Sequence, residues 1–531
     1  MKRRLLSTFL ALCIIISFSP STLAANLPEV DVRTEGLTPA QPQEAPAEKP
    51  RDAGAERRTI YVSNEGTEED DGATAETPTT LARATELANE GKKPVEIVVL
   101  GQVSVDTWTS PTVETTLRGG DENAELLFEY CSASDGAYNI SLADALTIDD
   151  IKFNCNYTDY FFSRYYGTYT IVANGYPLVI ASGVQYSYYT ADTIVDGKTC
   201  STSSCYVIGG GLDEDITGGT HVEIYTSLPL TYVYGGGVNG SVESNVYLHI
   251  ENCGKIQHVR AGGYANKKDA KVNGNITLDF INSVTDNPIY GGGYARSSYS
   301  AEVTGSICIN LSGLNNGFGR PIYGGGYGKN APVVGNITFN ISNTKMNNNA
   351  AAIYGGGYDS DVTGDIFIHI KENSLISEET VWGGGTGDST ITGGVTITVD
   401  DSSEVIGEIR AGGNEGADVI GDVVITVSGG PQSACPTIFA TGKGEDEDNP
   451  AQVDGNVSIT LHGSRANVYT LDKFGEVTSD HTVTIILDDT DELSGAVRGD
   501  SKLDQHLHPY RKRRQRHRQR RLHLYRNPRV P

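Results

Sequence analysis

The stretch from Val272 to Tyr294, VNGNITLDFINSVTDNPIYGGGY, contains both halves of a repeat that decides the fold. A turn of the form V-x-G-N/D leads into an alternating strand, and the glycine block IYGGGY follows it. Ile276, Leu278 and Phe280 alternate with polar residues, so one face of the strand is apolar and the other is polar. The pattern predicts a β-strand whose apolar face lies in a core.

Both halves of the repeat recur along the chain after residue 200. The glycine blocks begin at Gly209, Gly235, Ala261, Gly291, Gly324, Gly355, Gly383 and Ala411. Their spacing runs from 26 residues (Gly209 to Gly235) to 33 residues (Gly291 to Gly324), enough for two or three short strands with their turns. One such unit cannot bury its own apolar face, so successive units must stack about 4.8 Å apart.

The alternation predicts the core residues of the later units. These are Ile307, Ile309, Leu311, Ile337, Phe339, Ile341, Ile366, Ile368, Ile370, Val395, Ile397, Val399, Val423, Ile425, Val427, Val457, Ile459 and Leu461. We therefore expect an all-β chain folded as a parallel β-helix, or solenoid, over residues 108–500.

The N-terminal part of the chain divides into three predicted segments. Residues 1–24 have the basic, apolar and small-residue regions of a secretion signal. Residues 25–57 are rich in Pro, Ala and Glu, which predicts a disordered linker. Residues 58–107 contain a strand, a polar loop, an amphipathic helix and another strand. This segment is expected to cap the open end of the solenoid, because an uncovered end exposes apolar side chains and strand edges.

The net charge is strongly uneven along the chain. Of the 41 Lys and Arg, three lie in the predicted signal and eleven lie in residues 501–531, whereas only one of the 67 Asp and Glu lies in either segment. Residues 25–500 therefore hold 27 positive and 66 negative side chains, a net charge of about −39. Such a surface repels nucleic acid and anionic membranes. We expect neither a nucleic-acid partner nor membrane insertion of the mature chain, and the oligomeric state is left open.

Residues 501–531 form a basic tail that lacks glycine and the strand alternation. One interpretation is an anion-binding arm. The other is a reading-frame shift, because codons allowed for residues 515–528 can encode another turn and strand of the repeat when read one base forward. We favour the frameshift, which predicts a disordered tail. Sequencing the locus tests it: an in-frame stop with no repeats in the neighbouring frame would contradict it.

The glycine blocks, the alternating strands and the stretch from Ile60 to Ala88 resemble the right-handed parallel β-helix of the pectin-lyase-like family. The resemblance is to the adhesin-like form found on large surface proteins of Gram-positive gut bacteria, and it covers about residues 58–500. It implies a right-handed solenoid with an N-terminal capping helix. It also implies a secreted or cell-surface location, and it says little about activity.

Catalytic motifs of enzymes with this fold are missing from the sequence. Polygalacturonase-like members carry Gly-His-Gly and Arg-Ile-Lys, and this chain has neither. Asp149 and Asp150 form the nearest carboxylate pair, but neighbouring residues of a strand point to opposite faces, so a solvated turn is expected there. The histidines His221, His249, His258, His369, His462 and His481 are isolated in sequence, although stacking could bring some together. We name no catalytic and no metal-binding residue.

Cofactor and disulfide predictions are equally limited. The acidic loop Glu68–Asp71 is expected to be a solvated turn, and Ca²⁺ binding is the alternative; no other cofactor is implied. Seven cysteines follow the signal at scattered positions, which does not indicate a disulfide framework. Cys200 and Cys205 are the one close pair, so a small loop bridge is the alternative to free thiols there.

Tyrosines give the strongest functional lead. Tyr264, Tyr294, Tyr327 and Tyr358 follow four successive glycine blocks and should form a ladder. Exposed tyrosines in register could bind sugars, because tyrosine has an apolar face and a polar tip; the alternative is structural stacking between turns. A second aromatic cluster comprises Tyr157, Tyr160, Phe161, Phe162, Tyr165, Tyr166 and Tyr169.

These observations favour a secreted or cell-surface, adhesin-like interaction protein whose partner is a glycan or a host or bacterial surface protein. The alternative is a polysaccharide lyase or glycoside hydrolase acting on acidic polysaccharide, and a third option is a passive spacer. An enzyme would need several acidic and basic side chains converging in one groove of the stacked turns. Enzymatic activity stays open, and its absence is favoured.

Overall fold

Each strand of the repeat pairs in parallel with the same strand of the next turn, so the chain forms a parallel β-solenoid. The computed structural model describes residues 57–128, 138–155, 158–160, 164–166, 168–186, 194–195, 198–200, 204–254, 256–296, 298–315, 318–346, 351–377, 380–429, 436–470, 472, 474–478, 481–487, 492–493 and 520–524. The predicted signal and nearly all of the linker lie outside these residues.

The largest sheet, here called sheet I, has sixteen strands. Its strands in spatial order are Arg58–Thr67, Val95–Val99, Thr115–Gly119, Leu146–Asp149, Leu178–Ile180, Thr220–Ile224, Val246–Glu251, Ile276–Ile281, Ile307–Ser312, Ile337–Ser342, Ile366–Lys371, Val395–Val399, Val423–Ser428, Val457–His462, Val483–Leu487 and Arg520–Leu524. All of its pairs are parallel except the last, in which Arg520–Leu524 of the basic tail runs antiparallel to Val483–Leu487. The frameshift interpretation of the tail stays a prediction.

A second sheet, sheet II, has fourteen strands, and many of these strands end just before a glycine block. Its strands are Trp108–Thr109, Ile140–Ser141, Thr168–Val172, Ser204–Ile208, Leu230–Tyr234, Ile256–Arg260, Ile289–Tyr290, Ile322–Tyr323, Ile353–Tyr354, Thr380–Trp382, Glu408–Arg410, Thr437–Phe439, Arg465–Tyr469 and Glu492–Leu493. A third, six-stranded sheet comprises Val333–Val334, Val362–Thr363, Thr390–Thr392, Asp418–Ile420, Ala451–Asp454 and Gly475–Val477.

Four smaller sheets complete the described strands. They contain Gln102–Val105, Glu125–Phe128, Lys152–Cys155 and Gln185–Tyr186; Thr158–Tyr160, Arg164–Tyr166, Ile194–Val195 and Lys198–Cys200; Lys345–Met346, Leu375–Ile376 and Glu404–Val405; and Tyr264–Ala265 with Tyr294–Ala295.

One α-helix, Leu81–Gly91, lies between the first two strands of sheet I. The Thr80 hydroxyl accepts a hydrogen bond from the backbone N–H of Arg83, an N-cap that satisfies a free donor of the first turn. Ala84, Leu87 and Ala88 are buried in the main core, as their helical spacing predicts. The helix thus packs on the same core as the strands around it.

The core lies inside the stacked turns and contains every inward residue predicted from the alternation. Ile276 pairs with Ile307, and Ile307 pairs with Ile337, so equal positions stack from turn to turn. The prediction of a parallel solenoid with this inward face is confirmed. Burial of about 2 kcal/mol per large aliphatic side chain, repeated in each turn, is the main stabilising contribution.

The glycine blocks exist because the backbones of adjacent turns approach closely. A Cβ atom on Gly324 would overlap the carbonyl oxygen of Gly355, and one on Gly325 would lie 2.8 Å from the backbone nitrogen of Gly357. No side chain fits in that space, so the glycines here serve close approach rather than an unusual backbone angle.

The V-x-G-N/D turns are joined by side chains that bridge successive turns. The Asn336 side-chain oxygen accepts a hydrogen bond from the backbone N–H of Asp365 at 2.9 Å. The Asp365 carboxylate in turn accepts from the N–H of Gly394 at 2.8 Å. Each Asn or Asp therefore satisfies a backbone donor of the next turn, which explains why the motif ends in an amide or a carboxylate.

Candidate aromatic site at the glycine corner

Residues just before the glycine blocks, and the two residues in register with them in the next turns, form one continuous column of sheet II. The column, here called the pre-glycine column, comprises Tyr234, Arg260, Tyr290, Tyr323, Tyr354, Trp382, Arg410, Phe439 and Tyr469. Aromatic neighbours stack face to face: the ring centroids of Tyr290 and Tyr323 are 5.1 Å apart, and those of Tyr323 and Tyr354 are 4.8 Å apart. Two arginines interrupt this aromatic series.

The four predicted tyrosines form a second column on the other side of the glycines, here called the post-glycine column. The glycine blocks and the two columns that flank them are together called the glycine corner. Tyr294 and Tyr327 stack with centroids 4.3 Å apart, and Tyr327 and Tyr358 stack at 5.1 Å. Tyr264 meets Tyr294 edge-on at 5.8 Å. The predicted ladder is therefore formed, and whether it binds a ligand stays a prediction.

Stacking determines which parts of these tyrosines a ligand can reach. The rings of Tyr294 and Tyr327 are only 7° from parallel, so each covers a face of the other and a sugar ring cannot stack between them. Tyr264, Tyr327 and Tyr358 are half-buried, whereas Tyr294 is 7% exposed. The ring edges and phenol hydroxyls are left as the contact groups of this corner.

The phenols of Tyr327 and Tyr358 in the post-glycine column stay neutral at physiological pH. Burial raises the pKa of Tyr327 and of Tyr358 above the ordinary value for tyrosine. A neutral phenol both donates and accepts hydrogen bonds. The corner therefore presents a line of groups that suit hydroxyl-rich ligands.

Arg260 occupies a position in the pre-glycine column where its neighbours have rings. Its guanidinium carbon lies 3.6 Å from the ring centroid of Tyr294 and 4.9 Å from that of Tyr264. Its Nη1 donates to the Tyr234 hydroxyl at 3.1 Å, and Tyr232 and Tyr234 rings lie within 5.5 Å. The tyrosine rings stabilise the buried cation through their negative faces.

The hydrogen-bonding capacity of Arg260 is only partly used. The residue is 6% exposed, and its Nε is buried with no hydrogen-bond partner among the described residues. A buried donor on a charged group without an acceptor costs about 1–3 kcal/mol or more. Burial, with the nearby charges of Arg260 and Arg296, lowers the pKa of His258 to about 4, so His258 is neutral at physiological pH and adds no positive charge.

Arg410 occupies the same column further along the solenoid and is fully paired. Its Nε donates to the Glu408 carboxylate at 2.8 Å and its Nη1 to the Asp472 carboxylate at 2.6 Å. The guanidinium carbon also lies 3.8 Å from the Phe439 ring centroid and 5.2 Å from that of Trp382. An arginine at this position of the column therefore binds carboxylates where the chain places them beside it.

A charged cluster on the outward face of sheet I is the other concentration of chemistry-bearing side chains. This outer cluster comprises His221, Glu223, Tyr225, Tyr247, His249, Glu251, Asp279 and Asn310, from three successive turns and the strand beyond. Two of the isolated histidines lie in this cluster and each contacts acids: His221 bonds Glu223 at 2.6 Å, and His249 contacts Glu251 at 3.2 Å and, from the next turn, Asp279 at 3.3 Å.

The acids of the outer cluster are bonded to other members of the cluster. Tyr225 donates to Glu223 at 2.8 Å, and Asp279 accepts from Tyr247 at 2.9 Å and from Asn310 at 2.6 Å. The hydrogen bond from His221 outweighs burial and lowers the pKa of Glu223. Burial opposes ionisation of Asp279, but hydrogen bonds from His249, Asn310 and Tyr247 outweigh it and lower its pKa.

The pairing raises the pKa of the two proton donors around Asp279. Burial disfavours the charged form of His249, but the carboxylates of Asp279 and Glu251 outweigh this effect and raise its pKa. Burial and the Asp279 carboxylate together raise the pKa of Tyr247 well above the usual tyrosine value. The cluster is a network of ionised acids and the donors that pair with them.

The structure also bears on the predictions made for the Asp149 and Asp150 pair, for the cysteines and for the second aromatic cluster. Asp149 accepts hydrogen bonds from the backbone of Asp150 and Gly183 at a turn, so it is not coupled to Asp150 as a catalytic pair. Cys205, Cys253 and Cys308 are buried and free. Of the second aromatic cluster, the side chain of Tyr169 is described: it is fully buried and stacks on Phe128 at 4.7 Å, while the others lie outside the described side chains.

Two further features of the described part concern metals and membranes. Within it, no group of three or more His, Cys, Asp or Glu side chains is arranged to hold a metal ion. No described helix has the length and apolarity needed to cross a bilayer.

The arginines of the pre-glycine column and the outer cluster were not predicted from the sequence. The motif Arg-Ala-Gly-Gly, which occurs at Arg260 and again at Arg410, was the available signal for the first. Polar residues alternating in the strands 220–225, 246–251 and 276–281 were the signal for the second.

Comparison of the chain with protein-family models, with curated proteins and with solved structures finds no match.

Proposed function

We propose that this protein is a secreted or cell-surface, adhesin-like interaction protein that presents a β-solenoid and binds a glycan at its glycine corner. The post-glycine column carries the proposal, because Tyr294, Tyr327 and Tyr358 hold their hydroxyl edges in line on successive turns. Turns of a solenoid repeat about every 4.8 Å, so these phenols suit a polymer with regularly repeated hydroxyl groups.

The proposal extends to the form of the fold and to its location. We propose a right-handed solenoid of the pectin-lyase-like kind, in which the helix Leu81–Gly91 caps the first turn. Support comes from the packing of this helix on the core and from the hydrogen bond between the Trp108 indole and Thr85 at 2.9 Å. Secretion through the predicted signal at residues 1–24 completes the proposal, and a host or bacterial surface protein carrying the glycan would be the natural partner.

The test compares the secreted chain with a variant carrying Tyr294→Phe, Tyr327→Phe and Tyr358→Phe on one glycan array. Phenylalanine keeps the stacking and removes the hydroxyls, so we expect glycan binding to fall by about tenfold or more. Tyr176→Phe, at a tyrosine 40% exposed outside both columns, is the matched control and should bind normally. A wild-type chain that binds no glycan, or a triple variant that binds as well as wild type, would contradict the proposal.

A second candidate is a lyase or hydrolase acting on acidic polysaccharide, and the outer cluster is the observation that favours it. Acidic and basic side chains do converge there, with His249 and Asp279 in contact at 3.3 Å. The mutual pairing of these groups ranks this candidate second, because an acid or base held in an internal ion pair is less available to a substrate. Incubation with pectin and other uronates tests it: turnover that disappears in Asp279→Asn and His249→Asn would establish the enzyme.

A further inference from the structure

Arg260 and Arg410 occupy equivalent positions of the repeat, but they differ in the carboxylates that the chain places beside them. Both are the first residue of an Arg-Ala-Gly-Gly motif, both lie in the pre-glycine column, and both are at least nine-tenths buried, at 6% and 4% exposed. Arg410 binds the carboxylates of Glu408 and Asp472. Arg260 binds no carboxylate among the described residues.

The surroundings of Arg260 leave it with unmatched positive charge. The residue two positions earlier is Glu408 in the Arg410 turn and neutral His258 in the Arg260 turn. A second cation, exposed Arg296, lies on the Tyr294 ring at 5.8 Å from its centroid, so Tyr294 contacts two guanidinium groups. In a chain whose residues 25–500 carry about −39, this is a local positive site with an unsatisfied buried Nε.

We infer that the Arg260 niche binds the carboxylate of an acidic saccharide, taking the place that Glu408 and Asp472 fill at Arg410. Arg260 supplies the buried, ring-stabilised charge, and Arg296 supplies a second charge at the surface. Tyr264 and Tyr294 contribute the hydroxyls beside the sugar. This inference rests on the proposed glycan-binding function and names its ligand class.

The neighbouring groups favour a saccharide as the carrier of the carboxylate. Above and below Arg260 both columns present phenols, which bond readily to hydroxyl groups. The guanidinium fork matches a carboxylate in geometry as well as charge, so a charged hydrogen bond rather than general attraction selects the ligand. The strongly negative surface elsewhere repels acidic polymers and confines their binding to this site.

The experiment measures binding of the full secreted chain to uronate- and sialate-containing oligosaccharides, each as the free acid and as its methyl ester. The ester masks the carboxylate and keeps the sugar ring. We expect the acid form to bind at least about tenfold more tightly than the ester, with an affinity that falls as salt rises. Equal binding of acid and ester would overturn the inference.

Three variants assign the effect to Arg260. Arg260→Tyr restores a ring at this column position and should remove the preference for the acid form, while Arg260→Lys should keep only part of it because the fork is lost. Arg410→Tyr is the matched control: it removes the guanidinium that Glu408 and Asp472 both bind, so it should lower the melting temperature and leave the preference unchanged. If Arg260→Tyr fails to fold, Arg260→Lys and the ester comparison still decide the question.

Outcomes for the two proposals are distinguishable. Binding of neutral glycans with no preference for acids, or a preference that survives Arg260→Lys and Arg260→Tyr, overturns the Arg260 inference alone. Failure of every glycan, neutral or acidic, to bind the folded wild-type chain overturns the proposed function as well. An acidic peptide that competes as strongly as the saccharide would overturn the assignment to a saccharide.

Discussion

The glycine corner and the outward face of sheet I are both built from side chains stacked turn upon turn, yet they differ in how completely the chain satisfies them. In the outer cluster, each of the acids Glu223, Glu251 and Asp279 is bonded to a histidine. At the corner, Arg260 keeps a buried Nε without an acceptor among the described residues. The difference shows that stacking turns can close a charged network on itself in one region and leave a buried charged donor unmatched in another.

The first prediction concerns a side chain added where the backbones of adjacent turns touch. If the corner depends on close backbone approach, Gly324→Val should destabilise the protein by more than about 3 kcal/mol, because its Cβ overlaps the Gly355 carbonyl oxygen. Gly218→Val is the control, since a Cβ there meets nothing within 4 Å, and its effect should stay within about 0.5 kcal/mol. Denaturant unfolding measures both. Equal effects would contradict the account of the glycine blocks.

The second prediction concerns Asp279, the acceptor that three donors of the outer cluster share. Asp279→Ala should cost about 2 kcal/mol of unfolding free energy, because Tyr247, His249 and Asn310 each lose their bond to its carboxylate, and His249 keeps only Glu251. Asp448→Ala, in an exposed loop, serves as the control and should be nearly neutral. If the two variants unfold at the same denaturant concentration, the cluster is not a structural network.

The third and smallest effect is a pH dependence that separates the two regions. The folded pKa of His249 is raised above 6.5, so its stabilisation is complete below pH 6.5 and is lost as pH rises through the folded pKa. The folded pKa values of Asp279 and Glu223 are lowered from 3.8 and 4.5, so their stabilisation is complete above those values and is lost as pH falls through the folded values.

Melting temperatures across this range should therefore be highest between about pH 5 and pH 6.5, between the acidic and the histidine transitions. The variant His249→Gln should show a smaller decline on the alkaline side. The phenols of Tyr327 and Tyr358 at the glycine corner, with raised pKa values, should contribute no change over the same range. A decline of unchanged size in His249→Gln would assign it to other groups.

The fold could be predicted from the sequence because its main determinant is a period-two pattern repeated many times. Ile276, Leu278 and Phe280 already define the inward face, and the glycine blocks show where each turn bends. The tyrosine ladder followed from the same register. The alternation within one strand and the fixed place of a residue in each repeat can both be recognised from the sequence without coordinates.

The outer cluster and the Arg260 niche could not be predicted, because both depend on which residues become neighbours across turns of unequal length. His249 is 30 residues from Asp279, and Arg260 is 26 residues from Tyr234. Between turns of 26 to 33 residues (Gly209 to Gly235, Gly291 to Gly324), an outward polar side chain has no marked partner in sequence. The repeated Arg-Ala-Gly-Gly motif indicated a special position, but only the carboxylates beside Arg410 show what Arg260 lacks.

The most direct test of the central claim is a crystal structure of the chain with an oligosaccharide selected on the array. We expect saccharide hydroxyls within hydrogen-bonding distance of the Tyr294, Tyr327 and Tyr358 hydroxyls at the glycine corner. A saccharide bound instead over the outer cluster, against Asp279 and His249, would contradict it and would favour the enzyme.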